Sequence, residues 1–247
     1  GAGRSWPPAG TLALIVLAGA GARTVGMAMN RILDRRLDAL NPRTAGRDLP
    51  CGALSLGQGA AVAAAGLGLY LAACAMLGPL CLALSPVPLL PLLGYSLLKR
   101  YTSLCHFGIG VCLALAPLAA HVATSGSLAF DGSVALLGLF ALCWISGFDI
   151  VYALQDLESD RLTGVHSLPV RLGAPAALRV AGVVHAVGLL GAAFLALRNG
   201  GGIGPWSAWG VAAVAMLLAQ SSRIPLAFRF FPLSAIAGVA GAVIPLV

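Results

Sequence analysis

Stretches of nearly unbroken apolar sequence, separated by short polar joints, divide this chain into eight runs: Thr11–Met29, Leu56–Leu77, Leu80–Leu98, Leu104–Ala123, Ser133–Ala153, Pro175–Leu197, Trp206–Gln220 and Phe231–Val247. A helix needs about 20 apolar residues to cross the hydrocarbon core of a bilayer, and most runs are near that length. They lack the period-two alternation of barrel strands and are rich in Leu, Ala, Val and Gly, so they predict helices. Gly78-Pro79, Ser85-Pro86 and Gly200 to Pro205 punctuate the pattern. The seventh run is short, and the eighth continues to the last residue.

Composition turns these helices into membrane spans. Hydrophobic residues make up 59% of the chain and charged residues 9%, with a mean hydropathy of +0.94. A soluble domain carries about 25% charged residues. A soluble fold cannot hide so much apolar surface, so lipid must cover part of it. The class predicted is all-α, a polytopic transmembrane helix bundle forming one domain over residues 1–247. The chain opens at Gly1 without Met or signal peptide, and both ends read as truncations. The six cysteines (Cys51, Cys74, Cys81, Cys105, Cys112, Cys143) have no metal-ligand spacing and read as small packing residues.

Net charge is +7, yet the distribution excludes a nucleic-acid partner and reports orientation instead. Arg31, Arg35, Arg36, Arg43 and Arg47 follow the first run, and Lys99 and Arg100 the third. Arg161 and Arg171 follow the fifth, with Arg179 just inside the sixth, and Arg223 and Arg229 follow the seventh. Twelve of the fifteen basic residues thus fall on one side. By the positive-inside rule that side is cytoplasmic, in an inner or plasma membrane. Seven of the eight acidic residues lie there too, Asp131 excepted. Acidic residues contribute little to orientation, so their gathering on the same face points to a site.

They form two clusters. Asn30, Asp34 and Asp38 are spaced by four, which lays them on one helical face at the cytoplasmic end of the first run. Asp149, Asp156 and Asp160, spaced by seven and four, share a face at the end of the fifth, with Glu158 turned away. Crowded carboxylates repel unless a cation neutralises them. Mg²⁺ takes oxygen ligands, often one or two carboxylates plus substrate phosphates, and can neutralise a leaving diphosphate. Solvated loop charges salt-bridged to Arg35, Arg36 and Arg161 are the plainer reading. Asp149 argues against it, since an ionisable group inside an apolar run is costly.

At these residues the chain resembles the UbiA superfamily of intramembrane aromatic prenyltransferases. The family's N-D-x-x-D-x-x-x-D motif is matched by Asn30, Asp34 and Asp38, followed by a similar loop from Asn41 to Pro50. Its D-x-x-x-D motif is matched by Asp156 and Asp160, with Asp149 upstream and His166-Ser167-Leu168-Pro169 downstream, and its Y-x-x-x-K element by Tyr95 and Lys99. Arg31 stands where the family usually has Asp, as in its 4-hydroxybenzoate or menaquinone-pathway branch. The family has nine helices, so the eight runs imply a missing first helix and an incomplete last one.

The resemblance implies roles. Asn30, Asp34 and Asp38 would hold one Mg²⁺ with diphosphate oxygens, and Asp156 and Asp160 a second, supported by Asp149. Asp34, Asp156 and Lys99 carry the catalytic assignment. Lys99 would contact the diphosphate beside Tyr95, with Arg43 and Arg47 as further anion contacts. The substrates would be a polyprenyl diphosphate and an aromatic acid in quinone biosynthesis, the isoprenoid tail lying between helices and opening to lipid. 4-Hydroxybenzoate is the first acceptor and a dihydroxynaphthoate of a menaquinone pathway the second. No obligate protein partner is evident.

His106 reads as an interfacial structural residue before a substrate contact, and His121 and His185 as structural. From another class, an ion-coupled transporter explains Asp149 but not the crowding of acids at one interface. Hydropathy excludes a soluble isoprenyl diphosphate synthase, and the D-G-x-x-A-R pattern of CDP-alcohol phosphotransferases is absent.

Overall fold

Every apolar run is helical over most of its length. The computed structural model describes residues 6–247, so Gly1, from which a truncated start was inferred, lies outside the described residues. Helices α1 (Ala9–Leu40), α2 (Leu56–Leu77), α3 (Pro79–Leu84), α4 (Pro86–Leu98), α5 (Cys105–Ser125) and α6 (Gly132–Ala153) come first. A 3₁₀ turn (Leu154–Asp156) leads into α7 (Leu157–Thr163), then α8 (Leu168–Leu172), α9 (Ala174–Arg198), α10 (Ile203–Ala219) and α11 (Leu226–Val243). Among the described residues seven helical segments are long and apolar enough to cross a membrane, and α10 is apolar but shorter.

The boundaries differ from the runs in four places, each for a physical reason. Helix α1 extends through the acidic cluster to Leu40, because its polar residues project from the same continuous spiral as the apolar ones. The third run is two helices broken at Ser85, where Pro86 starts α4. The Ser85 carbonyl accepts a hydrogen bond from the Tyr70 hydroxyl at 2.9 Å. The last helix begins at Leu226, not Phe231, because Arg229 does not interrupt it. That guanidinium is buried and donates from Nε to the Ala219 carbonyl at the end of α10, at 2.7 Å. Finally, α6 does not continue as one helix through the second acidic cluster. The 3₁₀ turn and α7 change its phase, and Gly164 ends α7 at φ 72°.

The core lies in α6, α9, α10 and α11, where Phe140, Phe148, Leu195, Met216 and Ile244 are buried against one another. Leu90, Leu190 and Val239 point outward from α4, α9 and α11, as lipid-facing residues do. A second grouping, α1, α2, α4 and α5, is held more by small residues than by bulk. Helices α1 and α2 touch at Gly21 and Gly66: a Cβ on Gly66 would lie 2.9 Å from Thr24 and 3.1 Å from the Gly21 carbonyl oxygen. Close backbone approach of this kind is how helices associate in lipid. Gly66→Ala is therefore expected to lower the thermal midpoint in detergent and to cost about 1–3 kcal/mol, the usual range for overpacking. An unchanged midpoint would mean that α1 and α2 separate without loss.

Candidate functional site

The C-terminal turns of α1, α4 and α6 and the N-terminus of α5 meet at one end of the bundle, and both acidic clusters lie there. On α1, Asp34 is 2% exposed. Its Oδ2 accepts from Lys99 Nζ at 2.6 Å and from Asn30 Nδ2 at 2.9 Å. The Asn30 amide also donates to Ser96 Oγ at 3.0 Å. Asp34 Oδ1 is buried with no partner. One turn on, the two carboxylate oxygens of Asp38 both accept from Arg47 Nη1, at 2.8 and 2.9 Å. Arg100 fastens the two helices further by donating to the Leu33 carbonyl at 2.6 Å.

The segment after α1 crosses to the second cluster. Asn41 Nδ2 donates to Asp156 Oδ1 at 2.6 Å. Arg43 grips the same carboxylate with a fork, Nε to Oδ1 at 2.8 Å and Nη2 to Oδ2 at 2.6 Å. Its remaining Nη1 donates to the Tyr152 hydroxyl at 2.9 Å. The hydrogen bonds that Arg43 donates to Asp156 raise its pKa above the ordinary arginine value, outweighing its partial burial. Arg43 thus stays charged at any physiological pH. Asp160 lies close enough to Asp156 and Lys99 to feel their charges. Glu158, by contrast, faces outward beside Arg161.

Asp149 has its own partner. Its Oδ2 is 2.7 Å from His106 Nδ1. The other imidazole nitrogen, Nε2, accepts the Leu168 backbone N–H at 3.2 Å. A nitrogen that accepts carries no proton, so the proton sits on Nδ1 and is donated to Asp149. This contact depends on α8 folding back over the α4–α5 turn. There Ser167 caps α8, and the His166 N–H donates to the Lys99 carbonyl at 2.7 Å.

Beside the clusters lies a cavity of about 660 Å³, bounded by residues of α1 to α5 and by Leu128 and Phe130. Tyr95 forms part of its wall and is near enough to Asp34 and Asp149 to feel both charges. Most of the cavity lining is aliphatic.

Residues 1–244 match the UbiA prenyltransferase family. The chain belongs to that family. It is 31% identical over 172 residues to 4-hydroxybenzoate octaprenyltransferase of Sodalis glossinidius, covering 70% of this chain but 59% of that protein's length. The UbiA homologue of Aeropyrum pernix K1, solved in its apo form, superposes with a TM-score of 0.86 at 31% identity, over 98% of this chain and 90% of that one. A UbiA homologue from Archaeoglobus fulgidus, solved with GPP and Mg²⁺, shares the fold at 20% identity, with a TM-score of 0.69 over 98% of this chain and 89% of that one.

Within this UbiA fold the motif residues come together, but not as a single cage. Among the described residues, no three His, Cys, Asp or Glu side chains converge as a metal centre. Instead the carboxylates are shared out among cations. Lys99, Arg43 and Arg47, the expected anion contacts, each hold a motif aspartate. The donor set nevertheless fits a hard divalent cation. It is built of oxygens, and Asp34 has one oxygen buried without a hydrogen-bond donor, which a cation would complete.

Asn41, Ser96 and Tyr152 were not singled out for the site, and His106 was ranked mainly as structural. Asn41 stands in the loop already matched to the family, and Ser96 sits between Tyr95 and Lys99, so position alone could have flagged both. His121 and His185 stay structural, bonded to the Ala129 carbonyl and to Gln220 respectively.

Proposed function

We propose that this chain transfers a polyprenyl group from its diphosphate to an aromatic acid, 4-hydroxybenzoate first, in quinone biosynthesis. The supporting observation is an apolar cavity walled by Tyr95, a residue near enough to Asp34 and Asp149 to feel both charges, at the end of the bundle where Lys99 holds Asp34 and Arg43 holds Asp156. The cavity suits an isoprenoid tail, and the clusters suit a metal–diphosphate. The named activity of the Sodalis relative supports the acceptor, and the GPP and Mg²⁺ of the Archaeoglobus homologue support the donor and the ion.

Asn30, Asp34 and Asp38 would hold one Mg²⁺, and Asp156 and Asp160, with Asp149 in support, a second. When bound, Mg²⁺ neutralises the diphosphate and makes it a better leaving group. Lys99, Arg43 and Arg47 then turn from their aspartates to the diphosphate oxygens. The neutral His106 holds Asp149 in place. The apolar helices keep water from the allylic cation until the electron-rich ring attacks it. The acidic face lies on the cytoplasmic side, as the lysine and arginine bias implies.

Vesicles containing the protein are expected to prenylate 4-hydroxybenzoate with Mg²⁺, and to stop with EDTA. Inside-out vesicles should use impermeant Mg²⁺ added outside, whereas right-side-out vesicles should not. Asp156→Asn should lower the rate at least 100-fold, while Glu158→Gln, altering an exposed side chain, should leave it unchanged. Failure on 4-hydroxybenzoate with success on a dihydroxynaphthoate would move the acceptor. Product formation in EDTA would overturn the mechanism.

A further inference from the structure

The tip of Arg43 is held from two directions. Its Nε and Nη2 form the fork on Asp156, and its Nη1 donates to the Tyr152 hydroxyl at 2.9 Å. The guanidinium carbon also stands 5.1 Å from the centre of the Tyr152 ring, within cation–π reach. The base of the residue is fixed separately, because the Arg43 backbone N–H donates to Asn41 Oδ1 at 3.0 Å. Of these contacts the fork alone depends on Asp156. When Asp156 turns its oxygens to a cation, Nε and Nη2 are released and the other contacts stay in place.

Tyr152 is itself set on a platform from the last helix. Its ring lies against Phe230 of α11, with centroids 4.2 Å apart, and Phe231 meets it edge-on at 6.1 Å. The first turn of α11 is fastened to α10 by Arg229, whose Nε donates to the Ala219 carbonyl. Aromatic pairs at such spacings hold a preferred geometry, so the hydroxyl keeps its place when Arg43 moves. An arginine without such a tether regains its rotamer freedom once its partner leaves, and that freedom opposes binding of the next one.

We propose that Tyr152 is the positioning residue for Arg43, holding Nη1 as a pivot while the fork swings from Asp156 to the oxygens of a diphosphate. This rests on the prenyl-transfer reading for the identity of the anion. While the fork is on Asp156 the Tyr152 bond is redundant, since the carboxylate already orders the guanidinium. With the carboxylate given to a cation, Tyr152 is the contact that keeps the fork at the site. Loss of the hydroxyl therefore weakens the diphosphate-bound arrangement more than the free one. The plainer reading makes Tyr152 a packing residue between α6 and α11, and the test separates the two.

Purified wild type, Tyr152→Phe, Arg43→Gln and the double variant would be titrated calorimetrically with inorganic diphosphate in Mg²⁺. Phenylalanine keeps the ring and its packing on Phe230 and loses the hydroxyl alone. Tyr152→Phe is expected to raise Kd about 10-fold, the usual worth of a hydrogen bond to a charged group. In the Arg43→Gln background the same change should have no further effect, since the pivot has nothing to hold. The thermal midpoint without diphosphate should match wild type. In vesicles, KM for the prenyl diphosphate should rise alongside Kd, while KM for 4-hydroxybenzoate stays unchanged. An unchanged Kd in Tyr152→Phe would overturn the proposal and leave the function standing. So would a rise of equal size in the Arg43→Gln background, which would mean that the hydroxyl touches the anion without Arg43. A lowered midpoint with both KM values raised together would make Tyr152 a packing residue and overturn the proposal too. A wild type that neither binds diphosphate nor transfers a prenyl group would remove both readings together.

Discussion

Asp34→Asn is expected to lower prenyl transfer about 1,000-fold or more at saturating Mg²⁺. Asp34 is the most buried of the motif aspartates, at 2% against 7% for Asp38, with Asp149, Asp156 and Asp160 half-buried. One oxygen holds Lys99 and Asn30, and the other has no donor. Asparagine matches the shape but replaces one oxygen by a donor. If its amide nitrogen takes the orphan position, a cation that needs oxygen meets an N–H. If it takes the other position, it faces the Lys99 ammonium and the Asn30 amide, all of them donors. Either orientation removes the charge the metal requires.

The fold should persist. Lys99 loses its countercharge but is 27% exposed in its side chain and can turn to water. A cost of about 1–3 kcal/mol, that of an unmet partner, is expected in the thermal midpoint. Rate and stability should therefore separate. A variant retaining more than a tenth of wild-type kcat would remove Asp34 from the metal set.

The helices were legible in the sequence because lipid enforces them. A backbone in hydrocarbon must satisfy its own hydrogen bonds, so an apolar run of spanning length has few alternatives to a helix. The face shared by Asn30, Asp34 and Asp38 was legible for a related reason: α1 stays regular through Leu40, and periodicity carries over unchanged. The second cluster lost that regularity at the 3₁₀ turn after Ala153. Asp149 looks to His106, while Asp156 looks to Arg43 and Asn41. No spacing rule anticipates those partners, because they come from segments far apart in the chain. Arg229 was read as a loop charge because its partner, the Ala219 carbonyl, is a backbone atom invisible to sequence.

Lys99→Met is expected to have two opposed effects, and their opposition identifies the role of this lysine. Lys99 Nζ sits 2.6 Å from Asp34 Oδ2, and its charge is felt by Asp160 across the site. It therefore offsets the charge of the clusters, and on the proposed function it would compete with a metal for Asp34. Methionine keeps the length of the stem without the charge. With the ammonium gone, two mutually repelling carboxylate clusters gain a stronger demand for cations. The Mg²⁺ concentration for half-maximal rate should fall several-fold, since a full positive charge close to the metal position has been removed. The rate at saturating Mg²⁺ should fall nonetheless, by about 100-fold, because on the proposed function Lys99 would also stabilise the charge that develops on the departing diphosphate. A merely structural lysine would not produce this split. Its loss would disorder Asp34, so Mg²⁺ affinity and kcat would decline together. Lys99→Arg, keeping the charge with a different reach, should restore the Mg²⁺ requirement toward wild type and recover only part of the rate. A rise in the Mg²⁺ requirement of Lys99→Met would sink the competition argument, and an undiminished kcat would remove Lys99 from the reaction.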